Sequence, residues 1–278
     1  VLPHSVFALP FAVVGYLLAL KTGRTAGQWP LVAEFIIMIL AVVFARTAAM
    51  SFNRYLDADF DLRNPRTANR EIPKGIISKQ NVLLILIIST ALFFASAWML
   101  GVHCLIASPV VMFVLLGYSY LKRFTKYSHM VLGLALALAP GGAWWVVRPE
   151  VESLPLVLMF TVLFWVAGFD IIYSCQDVKF DREHQLFSIP AKLGTIRALH
   201  LSKLLHWISA VGFILVGMIA GLNLIYFIGA VVIIVVLLRQ HRLITPSDFS
   251  KANRAFFTFN GVISIAYLVT VMLSLLGA

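Results

Sequence analysis

The sequence predicts an all-α polytopic membrane protein, with nine transmembrane helices surrounding a central cavity. Three observations predict it. The 278 residues are 61% apolar and only 12% charged, with a mean hydropathy of +0.93; soluble domains hold roughly 45–50% apolar and about 25% charged residues. Nine apolar segments approach the ~20 residues that a helical span requires. Nearly all the basic residues fall in alternate loops between those segments.

The segments follow in order. Val1–Leu20 is apolar but has neither a basic stretch before it nor a small-residue cleavage pattern after it, so it reads as a first span and not as a signal peptide. Its first residue is not Met, and a native amino terminus is expected to be missing. Pro30–Tyr55 is the second span. Val82–Leu100 and Val102–Leu121 are separated by Gly101, a place for an antiparallel turn. Met130–Val147 contains Pro140-Gly141-Gly142, which together with Pro109 in the fourth span is expected to bend or open a helix where neighbours satisfy the freed backbone groups. Leu154–Cys175 is the sixth span; Ala198–Ala220 and Leu222–Leu238 meet at Gly221; Ala255–Leu276 is the ninth. No stretch reads as a separate soluble domain. The whole chain, 1–278, is one membrane domain with a weak internal repeat, approximately 1–121 and 130–238, and a ninth helix over 255–276.

Charge placement sets the orientation. The loops after segments two, four, six and eight, with the adjoining helix ends, carry eighteen of the 22 Lys and Arg; the opposite loops hold Lys21, Arg24 and Arg148. Basic loops face the cytoplasm, so the net charge of +10 is accounted for without nucleic acid. The remaining basic residue, Arg46, lies inside the second span. An ionisable group there usually faces a cavity or a partner, and Arg46, Asn53 and Asp57 share one helical face by steps of seven and four. The alternative role is a structural hydrogen bond between helices. Trp144 and Trp145 are placed at the opposite interface, where aromatic belts occur. Cys104 and Cys175 have no ligand spacing and read as core thiols. His103, His129, His184 and His200 lack metal-ligand spacing as well and read as surface or structural residues.

Six of the seven Asp stand in two clusters. The first is Asn53-x3-Asp57-x3-Asp61, within NRYLDADFDLRNPRTANREIPKG. Four-residue spacing stacks side chains ~5–6 Å apart on one helical face, where two carboxylates repel by about 3 kcal/mol at an effective dielectric near 20. A divalent cation reverses that cost. Asp59 points elsewhere and is left out. The second cluster, Asp170-x6-Asp177-x3-Asp181, ends the sixth span and shares a helical stripe with Tyr173. Both clusters contain D-x-x-F-D and both lead into a basic loop with Ile-Pro, Lys and Gly. Four spans lie between them, so both emerge at one membrane face. A solvated helix end explains either cluster alone but not two matched ones at one surface. Oxygen-only ligands suit Mg²⁺, which binds through a few carboxylates plus substrate phosphates. Arg66, Arg70, Lys122 and Arg123 on the same side suit a diphosphate. Apolar walls beneath suit a hydrocarbon tail, so a lipid diphosphate is the inferred substrate. A transporter using Arg46 and the acids as coupling groups fits less well, because the acids sit at one face and not near the midplane. The DGxxAR core of CDP-alcohol phosphotransferases is absent.

These residues resemble the intramembrane aromatic prenyltransferases of the UbiA type, over nearly the whole chain. Asn53, Asp57 and Asp61 match the first signature, NPRTANREIPKG resembles the loop after it, YSYLKRFTKYSHMVLG resembles the third polar segment, and Tyr173, Asp177 and Asp181 match the second signature. FDIIYSCQD followed by SIPAKLG is most similar to the 4-hydroxybenzoate polyprenyltransferase branch; a hydroxynaphthoate branch of menaquinone synthesis is spelled similarly. Some members carry Lys before the first Asp of the second pair, where this chain has Gln176, so roles resting on that Lys do not transfer. The resemblance implies a UbiA-like helical fold in a bacterial inner membrane with its site toward the cytoplasm. It implies transfer of a polyprenyl group from polyprenyl diphosphate to an aromatic acid in quinone biosynthesis. In that reading Asn53, Asp57, Asp61, Asp177 and Asp181 hold Mg²⁺, and Arg66, Arg70, Lys122 and Arg123 bind the diphosphate. Asp170 or Tyr173 orients the phenol or takes a proton, and Arg46 meets the acceptor carboxylate.

Overall fold

The computed structural model describes residues 2–27, 29–242, 244–245, 249 and 258–277. Asp248, Lys251 and Arg254, and the expected start of the ninth span at Ala255, lie outside the described residues. The apolar runs form helices α1 (Leu2–Thr22), α2 (Leu31–Arg63), α3 (Lys79–Leu100), α4 (Val102–Leu121), α5 (Ser128–Val147) and α6 (Ser153–Ser174). Two short helices follow, α7 (Val178–Glu183) and α8 (Ile189–Leu193), and then α9 (Thr195–Ile219), α10 (Leu224–Arg239) and α11 (Asn260–Leu276). Among the described residues seven helices are long and apolar enough to cross a membrane. The first and last expected spans correspond to shorter apolar helices, 7–22 and Asn260–Leu276.

Large apolar side chains such as Phe113 and Val110 point outward, as they do where lipid and not water is the solvent. The interior is built on small residues and aromatic rings. A Cβ on Gly15 of α1 would lie 2.3 Å from the carbonyl oxygen of Pro140 in α5, and one on Gly133 of α5 would lie 2.4 Å from that of Leu163 in α6. Backbones therefore touch at both crossings, which is how small residues let helices approach in a bilayer. Phe11, Trp165, Phe213 and Tyr267 join α1, α6, α9 and α11, with ring centroids 5.0 Å apart for Phe11–Trp165 and 4.8 Å for Phe213–Tyr267. Trp144 belongs to this interior, being 1% exposed, which corrects its expected place in an interfacial belt. Cys175 is buried and both cysteines are free.

Gly101 (φ +133°) and Gly221 (φ +59°) make the two tight turns, where a side chain would be strained. Two features were not expected. The second span was predicted to end at Tyr55, yet α2 runs on to Arg63, and the continuation keeps Asn53, Asp57 and Asp61 in the helix that their four-residue spacing predicted. The second acidic stripe is not one continuous helix: α6 stops at Ser174 and a 3₁₀ turn, Cys175–Asp177, precedes α7. That turn brings Asp177 within reach of Asn64 and Arg66, just beyond the end of α2. The two acidic clusters thus meet at one end of the bundle.

Candidate active site

The two helix ends enclose a polar cavity of about 250 Å³. Arg46, Asn53, Asp57 and Asp61 reach it from α2, Arg66 and Arg70 from the following loop, and Lys122 from the end of α4. Asp170 and Tyr173 line it from α6, Asp177 from the 3₁₀ turn and Asp181 from α7. Every candidate residue except Arg123 is in its wall.

Most of the acids are held by basic side chains. Asp57 accepts from Lys122 Nζ at 2.5 Å, from Arg123 at 3.2 Å and from Asn53 Nδ2 at 3.3 Å. Asp61 takes both carboxylate bonds from Arg70 Nη1, at 2.7 and 2.8 Å. Asp177 is gripped by the fork of Arg66, with Nε at 2.8 Å, and by Asn64 Nδ2 at 3.0 Å. Arg66 also donates to the Tyr173 hydroxyl at 2.7 Å, its guanidinium lying 4.9 Å from that ring's centre. Burial works to lower the pKa of Arg66, but the hydrogen bonds and charge of Asp177, with Tyr173, outweigh it and raise the group above its ordinary value. Asp181 accepts from Ser188 Oγ at 2.7 Å, and Asp170 pairs with His129 Nδ1 at 2.6 Å. Asp59 is turned away and exposed, bonded to Lys79. Arg123 departs from its expected place beside the diphosphate. It lies behind Asp57, donating to the backbone oxygens of Ser119 and Leu56 at 3.0 Å each.

Arg46, only 8% exposed, stands where this cavity adjoins a second, apolar one of about 360 Å³. Leu136 is the other residue common to both walls; Met38, Phe93, Val111, Leu115 and Trp145 line the apolar side. Arg46 Nε is buried with no hydrogen-bond partner among the described residues. A buried donor left unmatched costs about 1–3 kcal/mol, so Arg46 is poised for an acceptor that enters the cavity.

The UbiA prenyltransferase family model covers residues 8–262. The chain belongs to the UbiA prenyltransferase family. It is accordingly a prenyltransferase. Among curated relatives, a 4-hydroxybenzoate octaprenyltransferase of Francisella tularensis subsp. mediasiatica is 23% identical over 243 residues, spanning 87% of this chain and 85% of that protein. Among solved structures, the apo form of a UbiA homolog from Aeropyrum pernix K1 is 32% identical with a TM-score of 0.83, covering 99% of this chain and 97% of that one. A UbiA homolog from Archaeoglobus fulgidus bound to DMAPP and Mg²⁺ shares the fold, with 20% identity and a TM-score of 0.74 over 99% and 96% of the two chains.

Within this UbiA site the candidate ligands Asp57, Asp61, Asp177, Asp181 and Asn53 offer oxygen donors, four carboxylates and one amide, and that chemistry fits a hard divalent cation. Their present arrangement is not a finished cage. Among the described residues no three acidic, His or Cys side chains are gathered closely enough to hold an ion by themselves. Each carboxylate of the two DxxFD pairs instead faces a cation or a hydroxyl.

Arg54, Asn64, Ser188 and His129 are among the cavity residues that the sequence did not single out for the site. Arg54 follows Asn53 directly and lines the cavity, its Nη1 buried with no hydrogen-bond partner among the described residues; its signal was present in the helical register. Asn64 and His129 gave no such signal, because their partners Asp177 and Asp170 are distant in sequence; Ser188 is seven residues from Asp181 but lies beyond the end of α7, where no helical register links the two. Gln176, which stands where some members carry Lys, donates to the Tyr173 carbonyl at 3.1 Å.

Proposed function

We propose that this prenyltransferase moves a polyprenyl group from polyprenyl diphosphate to a ring carbon of an aromatic acid, with 4-hydroxybenzoate as the acceptor, in quinone biosynthesis. One observation carries the reading: acids and bases are paired across one polar cavity, and that cavity adjoins an apolar chamber with Arg46 in both walls. The relatives named for 4-hydroxybenzoate support the choice of acceptor.

Asp57, Asp61, Asp177 and Asp181, with Asn53, would hold Mg²⁺. Bound there, the ion would withdraw charge from the leaving diphosphate. Arg66, Arg70 and Lys122 turn from their carboxylates to the diphosphate oxygens and stabilise the charge that develops as the allylic C–O bond breaks. Arg123 keeps Asp57 in place from behind. The hydrocarbon tail occupies the apolar chamber, out of water. Arg46 donates to the acceptor carboxylate, which fixes the ring at the boundary of the two cavities. Tyr173 and Asp170 face the phenol, and Asp170 takes the ring proton after the new C–C bond has formed.

The test is a product-mass assay on the purified protein, crossing 4-hydroxybenzoate and hydroxynaphthoates with prenyl diphosphates of several lengths, with and without Mg²⁺. A prenylated 4-hydroxybenzoate formed only with metal is expected. Prenylation of none of these acids sinks the proposal, and preference for a hydroxynaphthoate replaces the acceptor. Arg46→Ala should raise KM for the aromatic acid more than for the diphosphate; an equal loss removes the assigned role of Arg46.

A further inference from the structure

Asp170 enters the cavity from the last turns of α6, and its two oxygens are not equivalent. Oδ2 lies 2.6 Å from Nδ1 of His129, a buried residue in the first turn of α5. Oδ1 has no hydrogen-bond partner among the described residues. The other nitrogen of His129, Nε2, is 3.3 Å from the backbone N–H of Ile189. A backbone N–H only donates, so Nε2 accepts, the ring proton lies on Nδ1, and that proton is given to Asp170. The tautomer is thus assigned from the partners on both sides.

The Ile189 amide belongs to a short segment fixed at two further points. The Phe187 N–H donates to the Lys122 carbonyl at 2.7 Å, and Ser188 Oγ donates to Asp181 at 2.7 Å. Residues 187–189 therefore touch the end of α4, the second acidic pair and, through His129, Asp170.

We propose that His129 is the positioning residue for Asp170. It occupies Oδ2 and leaves a lone pair of Oδ1 facing the acceptor ring, and it ties that orientation to the segment that seats Asp181. The inference rests on the aromatic acceptor proposed above. Once the new C–C bond has formed, the C–H bond at the prenylated ring carbon breaks. Its electron pair restores the aromatic ring and the proton passes to Oδ1 of Asp170. No oxidant or reductant is needed. A base held by a third group at its far side is the usual arrangement for general-base catalysis. The role assigned to His129 is exerted through Asp170.

The experiment uses the full chain in lipid nanodiscs, with 4-hydroxybenzoate carrying either hydrogen or deuterium ortho to the hydroxyl. Asp170→Asn and His129→Leu are each expected to lower kcat about 10²-fold, with little change in KM for the prenyl diphosphate. Ring deuteration should slow both variants more than it slows the wild-type enzyme, because proton removal has become limiting. His129→Gln offers an amide N–H to Asp170 and an amide oxygen to Ile189, so it should recover most of the lost kcat and show no added isotope effect. Unchanged turnover in His129→Leu overturns the proposal. So does equal slowing in His129→Leu and His129→Gln without an isotope effect, the outcome of a purely packing role. Should His129→Leu fail to fold, His129→Gln is compared with Asp170→Asn, and an isotope effect of the same size in both also overturns it. A wild-type enzyme that prenylates no aromatic acid overturns the underlying reading and this inference together; an active wild type beside an unaffected His129→Leu overturns this inference alone.

Discussion

Arg66 holds two partners that the proposed chemistry needs at different moments. Its planar fork matches the Asp177 carboxylate, and its remaining nitrogen reaches the Tyr173 hydroxyl while the guanidinium lies over that ring. Lysine offers charge without the fork and cannot make both contacts. Once Arg66 turns to the diphosphate, lysine in its place would offer one charge-assisted hydrogen bond fewer, a loss of about 1.5–3 kcal/mol, and every 1.4 kcal/mol is about tenfold. Arg66→Lys should therefore lower kcat/KM for the prenyl diphosphate by roughly 10–100-fold. A kcat/KM within experimental error of the wild type would mean that the fork geometry is irrelevant. The acids of this site were readable because four-residue spacing announces a shared helical face, and the bases because they fall in loops on the same side. Asn64 and His129 were not, because each meets a carboxylate more than 40 positions away: Asn64 is separated from Asp177 by 113, and His129 from Asp170 by 41. Only folding brings such pairs together. Arg123 shows the complementary limit, since a basic residue next to Lys122 in sequence need not face the same space.

Helix packing follows a different logic, in which backbones and not side chains decide. A Cβ on Gly15 would fall 2.3 Å from the Pro140 carbonyl oxygen, and a backbone atom cannot swing away as a side chain can. Gly15→Val should therefore push α1 from α5, costing about 1–3 kcal/mol or more, and lower the apparent melting temperature by several degrees. Gly117 in α4 is the control, because a Cβ there meets nothing within 4 Å. Gly117→Ala should be neutral or stabilising by up to ~1 kcal/mol, since alanine favours the helix. Thermal unfolding of both variants in one detergent checks the pair. Equal melting temperatures for the two would show that the α1–α5 approach carries no stability. At this scale apolar length located the helices, and the glycine turns at 101 and 221 fell where the sequence placed them. The break after Ser174 was not legible, because the spacing of Asp170, Tyr173, Asp177 and Asp181 also suits an unbroken helix.

The whole bundle brings two acidic helix ends and their basic neighbours into one cavity, so the site without ligand is a set of internal ion pairs. A metal ion and a diphosphate are complementary to the two halves of those pairs, and neither can bind fully while the halves hold each other. Diphosphate must detach Arg66 from Asp177 and Arg70 from Asp61; a cation must find those same carboxylates released. Binding of each should therefore assist the other. Couplings between sites typically span about 5–150-fold and are reciprocal. Metal also binds pyrophosphate in solution, so the decisive comparison is made within the protein. Asp177→Asn releases Arg66 from its charged partner. Metal-free pyrophosphate should then bind more tightly than it binds the wild type, by several-fold and up to about tenfold if roughly 1.4 kcal/mol of pairing is removed. The same substitution should abolish most of the further gain that Mg²⁺ confers. Isothermal titration of both proteins with pyrophosphate, with and without Mg²⁺, reads both parts. A variant that weakens metal-free binding would place Asp177 as a support for the basic clamp and not as its competitor.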